Sequence, residues 1–151
     1  MVDYERSLAI AQQLDYLYTP GCCWANAVQA LRMKRFHLSN AIYVEGWCAM
    51  PGIGLVQPHG WIELQDGTIL DPTYMMADHE QGQRNLYVYF PALHYKLEEL
   101  KGVRLRSLPR IWRTGGFEGL RNEAYREAME NAYRCVGRAY PIAQRGLQNS
   151  E

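Results

Sequence analysis

The stretch HGWIELQDGTILD, His59 to Asp71, constrains the fold of this chain most tightly. Two short runs rich in apolar and β-branched residues flank Gln65-Asp66-Gly67, and such runs pair as an antiparallel hairpin. Strand side chains alternate between faces, so the loop length decides which residues meet. A two-residue Asp66-Gly67 turn would pair Gln65 with Thr68, set Ile62 against Asp71 and leave His59 on the opposite face. A three-residue loop with Gly67 in the left-handed conformation of a bulged turn instead pairs Leu64 with Thr68 and Trp61 with Asp71. Asp71 then becomes a diagonal, same-face neighbour of His59, within reach of a side-chain hydrogen bond. The bulged turn is the expectation.

Around this hairpin the chain divides into helical and extended segments. Leu8, Ile10, Ala11 and Leu14 recur at helical spacing, which predicts an amphipathic helix over 3–17, stopped by Thr19-Pro20-Gly21. Trp24, Ala27, Val28 and Leu31 fall at i, i+3, i+4 and i+7, predicting a second helix from about Cys23 to Arg35 that buries this stripe. AIYVEGWCA reads as a strand, MPGIGLVQP as a loop, NLYVYF as a further strand and HYKLEELKG as a short helix ended by Gly102. D-P-T reads as a turn opener. After the Gly115-Gly116 break, Leu120, Ala124, Ala128, Met129, Ala132 and Val136 predict a long helix within 117–140, its Tyr and Met residues serving as core.

The 151 residues suit one domain, 1–151, long enough to bury a core without staples. No repeat or linker divides it. Sixteen basic and sixteen acidic residues cancel, so no global field draws the chain to nucleic acid or an anionic membrane. Arg104, Arg106, Arg110 and Arg113 form a local run without acidic residues, which could meet a phosphate or carboxylate but reads first as a solvated surface. MVDYERSLAIAQQLDYLY does not read as a leader, and no run reaches the roughly 18 apolar residues of a membrane span. The expected location is cytoplasmic.

In a reducing compartment Cys22, Cys23, Cys48 and Cys135 are not expected to form a disulfide framework. They lack C-x-x-C spacing, and His37, His59, His79 and His94 lack H-x-x-x-H spacing, so no metal and no cofactor is expected. Four small buried hydrophobes are the plain alternative.

A nucleophilic reading asks more of the sequence. A thiolate attacks where a thiol scarcely does, and a helix N-terminus favours the thiolate through its N–H groups and dipole. At about 100° per residue, Cys23 sits a quarter turn from the buried stripe whereas Cys22 points nearly opposite. Cys23 is thus the expected nucleophile, at the half-buried margin where its helix meets the sheet. His59 is then the base, and Asp71 fixes its tautomer and orientation.

CW at a helix start resembles the nucleophile site of papain-like cysteine peptidases, and HGWIELQDGTILDPTY resembles the H-A-W…D-P-T signature of the transglutaminase-like core. YVEGWCAMPG, between them, is similar to a segment in small members of the same superfamily. The resemblance spans about Gly21 to Tyr74. It implies that Cys23 corresponds to the nucleophile, His59 to the base and Asp71 to the orienting carboxylate. Leu17 stands near the place of the glutamine that holds the oxyanion in papain-like enzymes. The backbone N–H of Cys23 and the side chain of Asn26 or Gln13 are therefore the oxyanion candidates. Gly60 replaces the alanine that follows the histidine, a mild change that lets a backbone approach closely. Trp24 and Trp61 are expected in the cleft wall.

The expected architecture is α+β, a papain-like or transglutaminase-like core with the cysteine-bearing helix packed on a small antiparallel sheet that carries the histidine and aspartate. The expected chemistry is attack on an amide or ester carbonyl through a thioester. Water as acceptor makes a peptidase or amidase, and an amine makes a transglutaminase or acyltransferase. A catalytically silent member binding a peptide or protein in the same groove is the alternative from another class.

Overall fold

A computed structural model describes residues 1–111 and 121–139. Arg113, the Gly115-Gly116 break, Leu120 and the rest of the expected helix start, together with Tyr140, lie outside the described residues. Asp3 accepts a hydrogen bond from the Arg6 N–H and starts α1, Tyr4–Leu14. This helix buries Ser7, Ile10, Ala11 and Leu14, and its expected last turn tightens into a 3-10 turn at Asp15–Leu17. Beyond the Pro20-Gly21 turn comes α2, Cys23–Arg32, which buries Ala27, Val28 and Leu31 as its periodicity requires. Full burial of Val28 or Leu31 contributes about 1.5–3 kcal/mol each. The helix gives way to a 3-10 turn at Lys34–Phe36, three residues short of the expected end.

Among the described residues four strands form one antiparallel sheet: β1, Ile42–Met50; β2, Leu55–Glu63; β3, Ile69–Leu70; and β4, Val88–Lys96, in the order β3-β2-β1-β4. The stretch expected as a loop before His59 is mostly strand. A 3-10 turn at Pro51–Ile53, closed by Gly54 at φ +64°, is the whole connection, and Met50 already faces Leu55. Pro58 is tolerated in β2 because β3 pairs only with Ile62 and Glu63, so β2 has a single neighbour at Pro58. The β2–β3 hairpin has the register that the three-residue loop predicts. Leu64 N–H donates to the Thr68 carbonyl, Gly67 adopts φ +80°, and Ile62 faces Leu70.

Two helices complete the layers, so that four α-helices occur among the described residues. The D-P-T segment opens α3, Pro72–Gln81, where a turn was expected. Asp71 caps it, Pro72 takes a first-turn position that needs no N–H, and Gly82 at φ +62° ends it. β4 runs on through His94 and Tyr95, which pair with Val44 and Tyr43 of β1 where helix was expected. The helical part shrinks to a 3-10 turn, Leu97–Leu100. Glu123–Cys135 forms α4, capped by Asn122, with Tyr125, Ala128, Met129 and Ala132 buried and Ala124 exposed. Tyr125 packs on Trp47 of β1 with ring centroids 5.4 Å apart.

The main core lies between α1, α2 and the sheet, with Leu14, Val28, Leu31, Tyr43, Ile62 and Leu70 at its centre. A second cluster joins Cys48 and Met50 of β1 to Tyr74 and Met75 of α3. No helix among the described residues is long and apolar enough to cross a membrane.

Candidate catalytic site

The hairpin register decides the site. With Ile62 facing Leu70, Asp71 is the first residue beyond the ladder, and its Oδ2 lies 2.7 Å from Nε2 of His59. Both side chains are buried, at 1 % and 0 % exposure. Asp71 divides its oxygens: Oδ1 accepts the N–H groups of Thr73 and Tyr74 at 3.1 and 3.0 Å and caps α3, while Oδ2 takes the histidine. Its backbone N–H donates to Ser7 Oγ at 3.0 Å, so α1 holds the same residue from behind. The positive end of the α3 dipole favours a carboxylate here.

His59 is fixed by stacking as well as by hydrogen bonding. Tyr74 lies parallel to the imidazole, with centroids 3.9 Å apart and planes 2° apart, and Trp61 stacks at 6.2 Å on a second side. With Nε2 committed to Asp71, Nδ1 is the nitrogen left for a thiol. The Cys23 sulfur lies near enough for its charge to bear on the ring. Burial alone would push the imidazole down, but the Asp71 carboxylate and then Cys23 outweigh it and raise it from 6.5 to about 10. Burial pushes the Tyr18 hydroxyl up to about 12, with smaller contributions from Glu80, Asp71 and Cys22.

The glycine after His59 has a definite use. A Cβ on Gly60 would stand 2.4 Å from Cδ1 of Trp24 and 3.2 Å from Cε2 of Tyr43. Trp24 therefore seats on the bare backbone of β2, one residue along the strand from His59. What approaches the glycine is the indole.

Several expected roles are corrected. Cys23 is 5 % exposed, more enclosed than the half-buried margin expected of it. Asn26 has no N–H to spare for an oxyanion: Nδ2 donates to the Thr19 carbonyl and to Thr73 Oγ1, each at 2.9 Å, while Oδ1 accepts the Thr19 N–H. It is a clamp between the first turn of α2 and the first turn of α3. Gln13 is exposed on α1, away from the sheet residues of the site. The backbone N–H of Cys23 remains as a donor, on a helix whose cap residue Cys22 offers no side-chain acceptor. Trp61 is fully buried beneath His59 and cannot line a cleft, whereas Trp24 is partly exposed.

Sequence reasoning also missed three supporting residues. Thr73 receives Asn26, Tyr74 stacks on His59, and Tyr89 of β4 donates its hydroxyl to Asp71 Oδ2 at 2.7 Å. None lies at a local spacing that would have revealed it. Elsewhere, Arg110 is not a free cation of a basic patch. Its guanidinium lies over Tyr95 and reaches the Glu99 carbonyl, and its backbone N–H donates to Glu45 Oε1 at 2.6 Å. No group of three His, Cys, Asp or Glu side chains that could hold a metal occurs among the described residues.

No protein-family model, curated protein or solved structure matches this chain.

Proposed function

We propose that this chain is a thiol-dependent enzyme acting on an amide or ester carbonyl, with Cys23, His59 and Asp71 as a triad in a papain-like or transglutaminase-like core. The observation that carries the reading is the 2.7 Å contact from His59 Nε2 to Asp71, with the Cys23 sulfur acting on the same ring. The Cys23 proton would already rest on the raised His59 ring, so that Sγ would add to the carbonyl carbon as a thiolate beside an imidazolium. The oxyanion would meet the Cys23 N–H at the start of α2. His59 would then return the proton to the departing amine or alcohol, leaving a thioester on Cys23. Water or an amine, deprotonated by His59, would attack the thioester, release the acyl group and restore the thiol. Asp71 stays ionised throughout and stabilises the imidazolium. The substrate would be a peptide, a protein or a small amide or ester. Four free cysteines are in keeping with a reducing, cytoplasmic setting.

The 5 % exposure of Cys23 and the full engagement of Asn26 favour one second reading, a silent relative that binds a peptide or protein through this face. An activated aryl ester separates the two. The enzyme takes the acyl group on Cys23, as a thioester that peptide mass mapping locates and neutral hydroxylamine removes. Cys23→Ser forms none, and an added amine distinguishes transfer from hydrolysis. Acylation spread equally over Cys22 and Cys135, with none preferred at Cys23, contradicts the enzymatic reading.

A further inference from the structure

We propose that Tyr89 is a positioning residue that sets how tightly Asp71 holds His59, because its hydroxyl and the imidazole share one carboxylate oxygen. The inference rests on the triad reading above for its functional meaning, though not for its geometry. Oδ2 of Asp71 lies 2.7 Å from His59 Nε2 and 2.7 Å from the Tyr89 oxygen. Oδ1 is fully occupied by two backbone N–H groups, so any redistribution of charge on the carboxylate falls on the Oδ2 pair.

Tyr89 can only donate in this arrangement. Burial, followed by the Asp71 charge, raises its hydroxyl well above the usual tyrosine range, so it keeps its proton wherever Asp71 is ionised. Its ring is held edge-on against Trp61 with centroids 5.1 Å apart, and Trp61 in turn stacks on His59. A hydrogen bond between buried, charge-assisted partners is short and strong, and two donors on one oxygen compete for the same charge. Removing the phenol concentrates that charge on the His59 N–H. The groups facing His59 are Asp71, Cys23 on α2, Tyr74 on α3 and Tyr89 on β4, with buried Cys48 of β1 next beyond, near Asp71. Among them Tyr89 alone donates to the oxygen that His59 uses.

Tyr87 provides an internal control. Two residues earlier on the chain, its hydroxyl donates to Asp78 Oδ1 at 2.7 Å, so it makes the same kind of bond to a different carboxylate of α3. Losing either hydroxyl removes one part-buried tyrosine-to-carboxylate bond, but only Tyr89 reports to the imidazole.

The test is an NMR titration of His59 with nitrogen-15 labelled histidine, in full-length Cys23→Ser so that sulfur ionisation does not intrude. Tyr89→Phe is expected to raise the His59 midpoint by about half a unit to one unit and move its N–H proton downfield. Tyr87→Phe is expected to leave both where they are. Site-specific fluorotyrosine at position 89, a more acidic donor of nearly the same shape, is expected to lower the midpoint, and it decides the matter should Tyr89→Phe not fold. A folded Tyr89→Phe or fluorotyrosine chain with an unshifted His59 overturns the inference, as does an equal shift in Tyr87→Phe. Failure of the wild-type chain to acylate Cys23 while these shifts appear removes the triad's function and leaves the Tyr89 inference standing.

Discussion

Asp71 follows β3, caps α3 through Oδ1 and orients the imidazole through Oδ2, the oxygen it shares with Tyr89. That division makes the roles separable. Asp71→Asn can keep Oδ1 as the cap of α3 while presenting an NH2 group where His59 and Tyr89 need an acceptor. Were both roles on one oxygen, no substitution could part them. The expected outcome is a helix α3 retained by circular dichroism, with Cys23 acylation reduced by about 100-fold or more, since a mis-set tautomer removes the base. The sequence held this residue's histidine-facing side in plain view, through strand parity around a glycine-bearing loop. It concealed the capping side, because D-P-T reads as a turn opener as readily as Asp followed by Pro reads as a helix start. Tyr89 was illegible for a different reason: it reaches Asp71 from a strand eighteen residues on, and no local periodicity records a contact across the sheet.

At the scale of elements, α2 is brought to the sheet by one polar clamp and one absent side chain. Asn26 ties its first turn to Thr73 of α3, and Trp24 occupies the space that a Cβ on Gly60 would fill. Asn26→Ala would leave the Thr19 backbone groups and the Thr73 hydroxyl without this partner in a buried setting. A loss of about 2–3 kcal/mol in urea unfolding is expected, without the specific loss of acylation that an oxyanion role would give at equal folded fraction. Gly60→Ala forces Trp24 to move, at a cost of about 1–3 kcal/mol, and displaces Cys23 with it. Its acylation rate should therefore fall further than its stability, measured by comparing rates with unfolding midpoints. The α2 stripe was readable because apolar spacing at 3.6 residues per turn survives any tertiary context. β2 was half missed because the Gly- and Pro-rich MPGIGLVQP follows turn chemistry, whereas the pairing of this stretch with β1 is set by partners up to eleven residues away. For α3, buried Thr73 and Asp78 break the apolar pattern that would have marked a helix.

Across the whole molecule, the buried His59–Asp71 pair links folding to pH. Because the folded imidazole is raised from 6.5 to about 10, folding favours the protonated ring. The stability this contributes is complete below about pH 6.5 and is lost as pH rises through about 10. Urea midpoints of the wild-type chain should fall across that window, and Asp71→Asn should flatten the slope; an equal slope in both would place the titration elsewhere. The same ring bears on the central claim, that α2, the hairpin and α3 bring the Cys23 sulfur to the imidazole of His59. Iodoacetamide labelling of Cys23 against pH, followed by peptide mass mapping in wild-type, Cys22→Ser and His59→Gln chains, tests it most directly. The account predicts labelling of Cys23 at pH 6 that is faster than that of a free thiol, unchanged in Cys22→Ser and lost in His59→Gln. Labelling at pH 6 that is no faster than a free thiol, or that is indifferent to His59, would contradict it.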